Sequence, residues 1–347
     1  MNRIIRTVVV AAAAALLLLT VSGCGPEKPK LYIYNWTYYI PDEVIKDFQK
    51  RFGVKVYYDM YSSNEEMYAK LKVGGAGYDV VFPSQDFVSI MIREGMVEPI
   101  DKSRVPNFAN LDTAMLSLIT FDSGSQYSVP YAMGLAGVSV NTEKVPEFAR
   151  SWRIFENPAL KGRLTLLDDM REVMGAALRT LGYSANSIDT AQLTEAKALV
   201  MEWKKNIVKF DAEAFGKGFA AGEFWVTHGY AENVFSELDE DAQKNAEFFI
   251  PEEGGPMYMD CMMILKGAKN VDLAYTFINY IHEPEVYAQI VDFFMLPSIN
   301  VPARGHMKVA PHYQIEDFAK YNMEFKEDLG EHLELYNKIW QEIRVGK

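Results

Sequence analysis

Residues 31–41, LYIYNWTYYIP, decide how the chain is read: a short apolar strand runs straight into an indole and two phenols where the backbone turns. Strand-to-helix order then repeats. Residues 41–52 carry Val44, Ile45, Phe48 and Phe52 at helical spacing, and Gly53 stands where such a helix ends. A strand is expected over 54–59. After it, Ser63-Asn64-Glu65-Glu66 has the form of a capping box, opening a helix that runs through Leu71. Beyond the turn GGAG, residues 78–82 read as a strand that is apolar apart from Asp79, as strands of a buried parallel sheet largely are. The chain therefore begins its folded part as an α/β lobe.

The termini and composition bound its setting. Arg3 and Arg6 precede an apolar run over residues 8–21, shorter than the roughly 20 residues a spanning helix needs. Residues 1–23 read as a signal peptide. Val21-Ser22-Gly23-Cys24 has the form of a lipobox, which makes Cys24 the lipidated N-terminus and residues 24–30 a linker; an ordinary cleavage site that happens to carry a cysteine is the alternative. Two or three acyl chains hold a protein firmly on a membrane surface. With Cys24 lipidated, only Cys261 remains, so stability must come from packing and not from a disulfide. At 347 residues with 49% hydrophobic content the chain suffices for two cores. The net charge of −12 becomes −14 once residues 1–23 are removed, which disfavours nucleic acid and favours cationic partners.

Residues 127–141, YSVPYAMGLAGVSVN, are extended and rich in small side chains, as a connection between lobes would be. A second strand-to-helix unit follows, with a strand at 163–167 and a helix at 171–181, then an amphipathic stretch at 193–203. Residues 256–265, PMYMDCMMIL, are positioned to carry the chain back. Two lobes with a cleft between them are expected. In open parallel sheets ligands bind beyond the carboxyl ends of strands, which selects residues 36–39, 84–86 and 168–172. Aromatic faces and carboxylates at such a cleft attract cations. Each group also has a plain structural role open to it: the aromatics fit core packing, and Asp169 with Glu172 has the spacing of a helix cap and its third residue. Asp260 sits in an apolar run, where a carboxylate needs a partner. His228, His282, His306, His312 and His332 are scattered, and neither a nucleophile elbow nor a phosphate loop is present. No enzyme, cofactor or metal site is expected.

The motifs YNWTYYIP, SNEEMYAKLK, YDVVFPS, EGMVEPIDKS, YSVPYAMG, DDMREV and EEGGPMYMD together resemble the bacterial spermidine/putrescine-binding proteins of polyamine ABC transporters. That resemblance implies a two-lobed periplasmic-binding-protein fold, each lobe a mixed, mostly parallel sheet flanked by helices. The lobes are expected over 31–132 plus 261–298 and over 133–260 plus 299–347. It also implies a monomeric polyamine-binding lipoprotein on the periplasmic side of the membrane or the cell surface, delivering ligand to a permease. Position by position, Trp36 and Tyr39 match the aromatic wall, and Thr37 and Ser84 match nearby polar contacts. Asp169 and Glu172 match acids holding one end of the polyamine, Tyr258 a further aromatic, and Asp260 the acid gripping an amine. Four positions depart from the family pattern. Thr227 replaces a tryptophan, Leu296 a tyrosine, Lys326 a glutamine and Asp86 an aromatic; Lys326 stands ready to neutralise a neighbour such as Glu327 or to repel an amine. Another cationic solute, or a sensor or adhesin role on the same fold, remains the alternative.

Overall fold

The computed structural model describes residues 28–37, 39–74 and 77–346; the signal segment and Cys24 lie outside the described residues. In chain order the strands are β1 (Lys30–Trp36), β2 (Lys55–Tyr61), β3 (Val80–Val81), β4 (Val129–Leu135), β5 (Gly137–Asn141), β6 (Leu164–Leu166), β7 (Ile207–Phe210), β8 (Val226–Gly229), β9 (Ala246–Phe249), β10 (Pro256–Ile264) and β11 (Glu324–Phe325). They form two sheets. The first has the order β11-β10-β3-β1-β2 with β4 also on β10, and the second has the order β7-β6-β8-β5-β9. β1 runs parallel to both β2 and β3, whereas β10 is antiparallel to β3 and β4.

Local signals act as the sequence suggests. The helix Asp42–Phe52 ends on Gly53 in the left-handed region at φ 66°, which glycine adopts without steric cost. Ser63 caps Asn64–Lys72 by accepting from the Glu66 N–H at 3.2 Å, but the reciprocal half of the expected box is not formed, because the Glu66 carboxylate accepts from the Ser62 N–H (2.9 Å) and hydroxyl (2.8 Å) instead. Asp169 caps Met170–Thr180 through the N–H groups of Arg171 (2.8 Å) and Glu172 (3.0 Å). Each cap contributes about 1 kcal/mol by satisfying donors the helix cannot. Cys261 is buried and unpaired. Packing therefore carries each lobe, and every fully buried large side chain contributes about 1.5–3 kcal/mol.

The division between lobes differs from the expected one. All of β10, Asp260 included, lies in the first sheet, so the chain returns between β9 and β10 and not at residue 260. Ile299, Ala303, Tyr313, Ile315, Phe318, Met323 and Phe325 belong to the first core, not the second. Only Leu329 and the face of Leu333–Val345 bearing Tyr336, Ile339, Trp340 and Ile343 enter the second. Three crossings result, at Ala136 between β4 and β5, between β9 and β10, and just after β11. The cause is hydrogen bonding: β10 pairs from Met257 to Met262 with β4 and then through Met263 and Ile264 with β3, so its whole apolar length is satisfied in one sheet.

Candidate functional site

Because β1 and β3 are parallel neighbours, their carboxyl ends open at the same edge and deliver Trp36 and Ser84 side by side. A cavity of about 620 Å3 lies there between the lobes. Trp36 Nε1 donates to the Phe82 carbonyl at 2.9 Å, and its ring packs 4.8 Å from Tyr61. That fixes the indole at the wall. Thr37 donates through Oγ1 to the Tyr61 carbonyl at 3.1 Å. Tyr39 packs against Phe294 (4.8 Å) and Tyr131 (5.4 Å), and its hydroxyl donates to Asp260 Oδ2 at 2.5 Å. Ser84 Oγ donates to Asp260 Oδ1, also at 2.5 Å.

Asp260 is thus buried but not unpartnered: two hydroxyls orient its carboxylate toward the cavity. Burial pushes it up to about 6, against the pull of Ser84, Tyr39 and the Lys326 charge. Two residues earlier, Tyr258 meets Tyr230 edge-on, with ring centres 6.0 Å apart. Its ladder partner is Gly134, where a Cβ would stand only 2.5 Å from the Tyr258 hydroxyl. A side chain there is incompatible with this ring position.

The second lobe faces this wall with acids. Asp168 and Asp169 line the cavity, Asp169 while capping its helix and Asp168 with Oδ2 3.2 Å from the Arg344 guanidinium. Glu232, near the start of the short helix Ala231–Phe235, lines it too, and burial pushes its carboxyl up to about 7. Asp86 is likewise raised by burial, against the opposing charges of Lys326 and Arg171. Six carboxylates on the wall, those of Glu65, Asp86, Asp168, Asp169, Glu232 and Asp260, face two cations, Arg171 and Lys326. Arg171 is occupied, donating to the Glu327 carbonyl at 2.8 Å and to Asn186 Oδ1 at 2.7 Å. Among the described residues no cluster of His, Cys, Asp and Glu has the form of a metal site.

Three expected contacts fall elsewhere. Leu296 is buried in the first core, beyond the left-handed Met295 that ends Pro284–Phe294. Thr227 is fully buried within β8 between Ser139 and Thr165, and does not reach the cavity. Glu172 is fully buried as well: Lys326 Nζ stands 2.6 Å from its Oε1, and Oε2 has no partner among the described residues. Burial raises the Glu172 carboxyl while Lys326 opposes the shift. For Lys326, burial acts to discharge the ammonium, but Glu172, Tyr230 and Asp169 more than reverse it, so the lysine stays charged. Its partner is Glu172, not Glu327. Sequence reasoning passed over Tyr230 and Glu232, although both lie in the segment VTHGYAEN just past the carboxyl end of β8, where the strand-end rule would have placed them.

Two lobes of mixed sheet flanked by helices, joined by three crossings around a cleft at strand ends, are the architecture of a two-lobed solute-binding protein. Residues 43–304 match the family model of the bacterial extracellular solute-binding proteins, and the chain belongs to that family. It is 36% identical over 323 residues to the spermidine/putrescine-binding periplasmic protein of Escherichia coli, covering 91% of this chain and 92% of that protein. With the putrescine/cadaverine-binding protein of Pseudomonas aeruginosa it shares 32% identity over 339 residues, 91% of this chain and 94% of that one. Among solved structures, the Tp0655 (TpPotD) lipoprotein of Treponema pallidum superposes with a TM-score of 0.87 at 45% identity, covering 91% of this chain and 99% of that chain.

Proposed function

We propose that this protein binds a polyamine of the spermidine/putrescine type in the cleft and hands it to the permease of an ABC transporter. The observation that carries the reading is Asp260, a buried carboxylate oriented by Tyr39 and Ser84 at an aromatic wall, with a second acidic wall across the cleft. A desolvated carboxylate beside indole and phenol faces suits an ammonium and repels an anion. An extended dication needs an acid near each end and apolar surface between them, and the two lobes supply acids on both sides. Trp36, Thr37, Tyr39, Ser84, Asp86, Asp169, Tyr258 and Asp260 are the proposed contacts carried from the sequence, joined by Tyr230 and Glu232. Relatives of near-full coverage are named for spermidine, putrescine and cadaverine, which supports the same ligand class. The protein is proposed to act as a monomer, tethered outside the cytoplasmic membrane through lipid on Cys24. Among the described residues no helix is long and apolar enough to cross a membrane.

Titration calorimetry on delipidated protein with putrescine, cadaverine, spermidine and spermine tests the ligand class. At least one should bind and raise the melting temperature, by about 2.7 kcal/mol of stabilisation at a hundredfold excess over Kd, while glutamate, phosphate and maltose do neither. If no polyamine changes the melting temperature at millimolar concentration, the reading fails.

A further inference from the structure

The geometry points to Lys326 as a built-in ammonium that fills the place of one ligand amine, so that the cleft selects diamines over the longer triamine. This inference rests on the polyamine reading and sharpens it. Lys326 lines the cavity, whereas Glu172 behind it is wholly enclosed, and 2.6 Å separates their charged atoms. The lysine ammonium therefore stands between the cavity and an acid that would otherwise be free to receive a cation from it. Lys326 itself is only 15% exposed, so it does not swing out into water. Its backbone is pinned as well. The Lys326 N–H donates to the Met257 carbonyl at 3.2 Å, and the Lys326 carbonyl accepts from Gln85 Nε2 at 2.9 Å. The same buried Gln85 accepts from the Met259 N–H at 2.9 Å, which ties Lys326 to the strand that carries Asp260.

A pinned cation at this wall affects the two ligand classes differently. A diamine can place its two ammonium groups on Asp260 and on Glu232. A triamine brings a third charge and a longer chain into the same cleft, where its extra ammonium meets a like charge and finds Glu172 already paired with Lys326. Exclusion by an unrelieved like charge is an effective form of discrimination, because screening is weak in a closed site.

Calorimetric Kd values for putrescine, cadaverine and spermidine, measured on the wild-type protein, on Lys326→Gln and on Glu172→Gln/Lys326→Gln, test this. The wild type should bind the better diamine about tenfold or more tightly than spermidine. Lys326→Gln uncovers Glu172 and should shift the spermidine-to-putrescine affinity ratio toward spermidine by about tenfold or more. The double variant keeps a neutral pair of similar shape but lacks the acid, and should lose most of that gain. A wild type that prefers spermidine overturns the inference without any variant. So does a folded Lys326→Gln whose ratio stays within about twofold of wild type. Failure of every polyamine to bind the wild type would instead remove the polyamine reading, and this inference with it.

Discussion

Acidification should weaken polyamine binding steeply, and the two raised carboxyls on the cavity wall set the size of the effect. In the free protein Asp260 titrates near 6 and Glu232 near 7, both because burial disfavours the charged form. A bound dication requires both carboxylates ionised, so binding must expel whatever protons they hold. For these values the release is about 0.6 protons at pH 7 and about 1.4 at pH 6. Between pH 8 and pH 5 the affinity should fall about a thousandfold, of which Glu232 supplies about ninetyfold and Asp260 about tenfold. The diamine stays doubly protonated throughout, so the slope belongs to the protein. Calorimetry at each pH in buffers of differing ionisation enthalpy counts the protons directly. Glu232→Gln should flatten most of the profile, and Asp260→Asn the acidic remainder. A change in Kd of less than about threefold across this range would refute the assignment of either carboxyl to the ligand.

The same groups predict stability. A carboxyl raised above its unfolded value makes the native state hold more protons than the unfolded one, so its contribution is present at low pH and is lost as pH rises through the folded value. For Asp260, moved from 3.8 to about 6, the cost to the free protein above pH 7 is about 3 kcal/mol. Asp260→Asn should therefore melt no lower than wild type at pH 8 in the absence of ligand, while losing about thirtyfold to several thousandfold in polyamine affinity, the penalty for leaving the ligand's ammonium unpaired; unchanged affinity would remove Asp260 from the site. Tyr39→Phe deletes a donor that stabilises the Asp260 carboxylate, so binding at pH 7 should weaken by about tenfold, the loss shrinking at higher pH; fluorescence or calorimetric titration at two pH values reads it. Gly134→Ala should displace the Tyr258 ring and weaken binding, with little change in melting temperature, as a thermal melt beside a titration would establish. Cys24→Ser should move the protein from the membrane to the soluble fraction with its affinity intact, since the tether lies outside both lobes; a variant that stays on the membrane would make the apolar run itself the anchor.

What was legible in the sequence divides along physical lines. Elements set by neighbours in the chain were readable: the helix ended by Gly53, the caps at Ser63 and Asp169, and the apolar strands whose carboxyl ends locate the cleft. The extended character of residues 256–265 is readable, but periodicity says nothing about which sheet a doubly buried strand joins, so the expected crossing falls inside β10 and the observed one before it. Thr227 and Leu296 stand at ligand positions of the family pattern. A buried hydroxyl in β8 and a core leucine carry no local mark that separates them from cavity residues. The pairing of Glu172 with Lys326 lies beyond local reading, because the partners are 154 positions apart and on different lobes. Glu172 read alone is a free acid, and Lys326 read alone is a repulsive intruder. Together they are a closed ion pair, and the acidity of the cleft has to be reckoned from the carboxylates that remain after that pairing, above all Asp260 and Glu232.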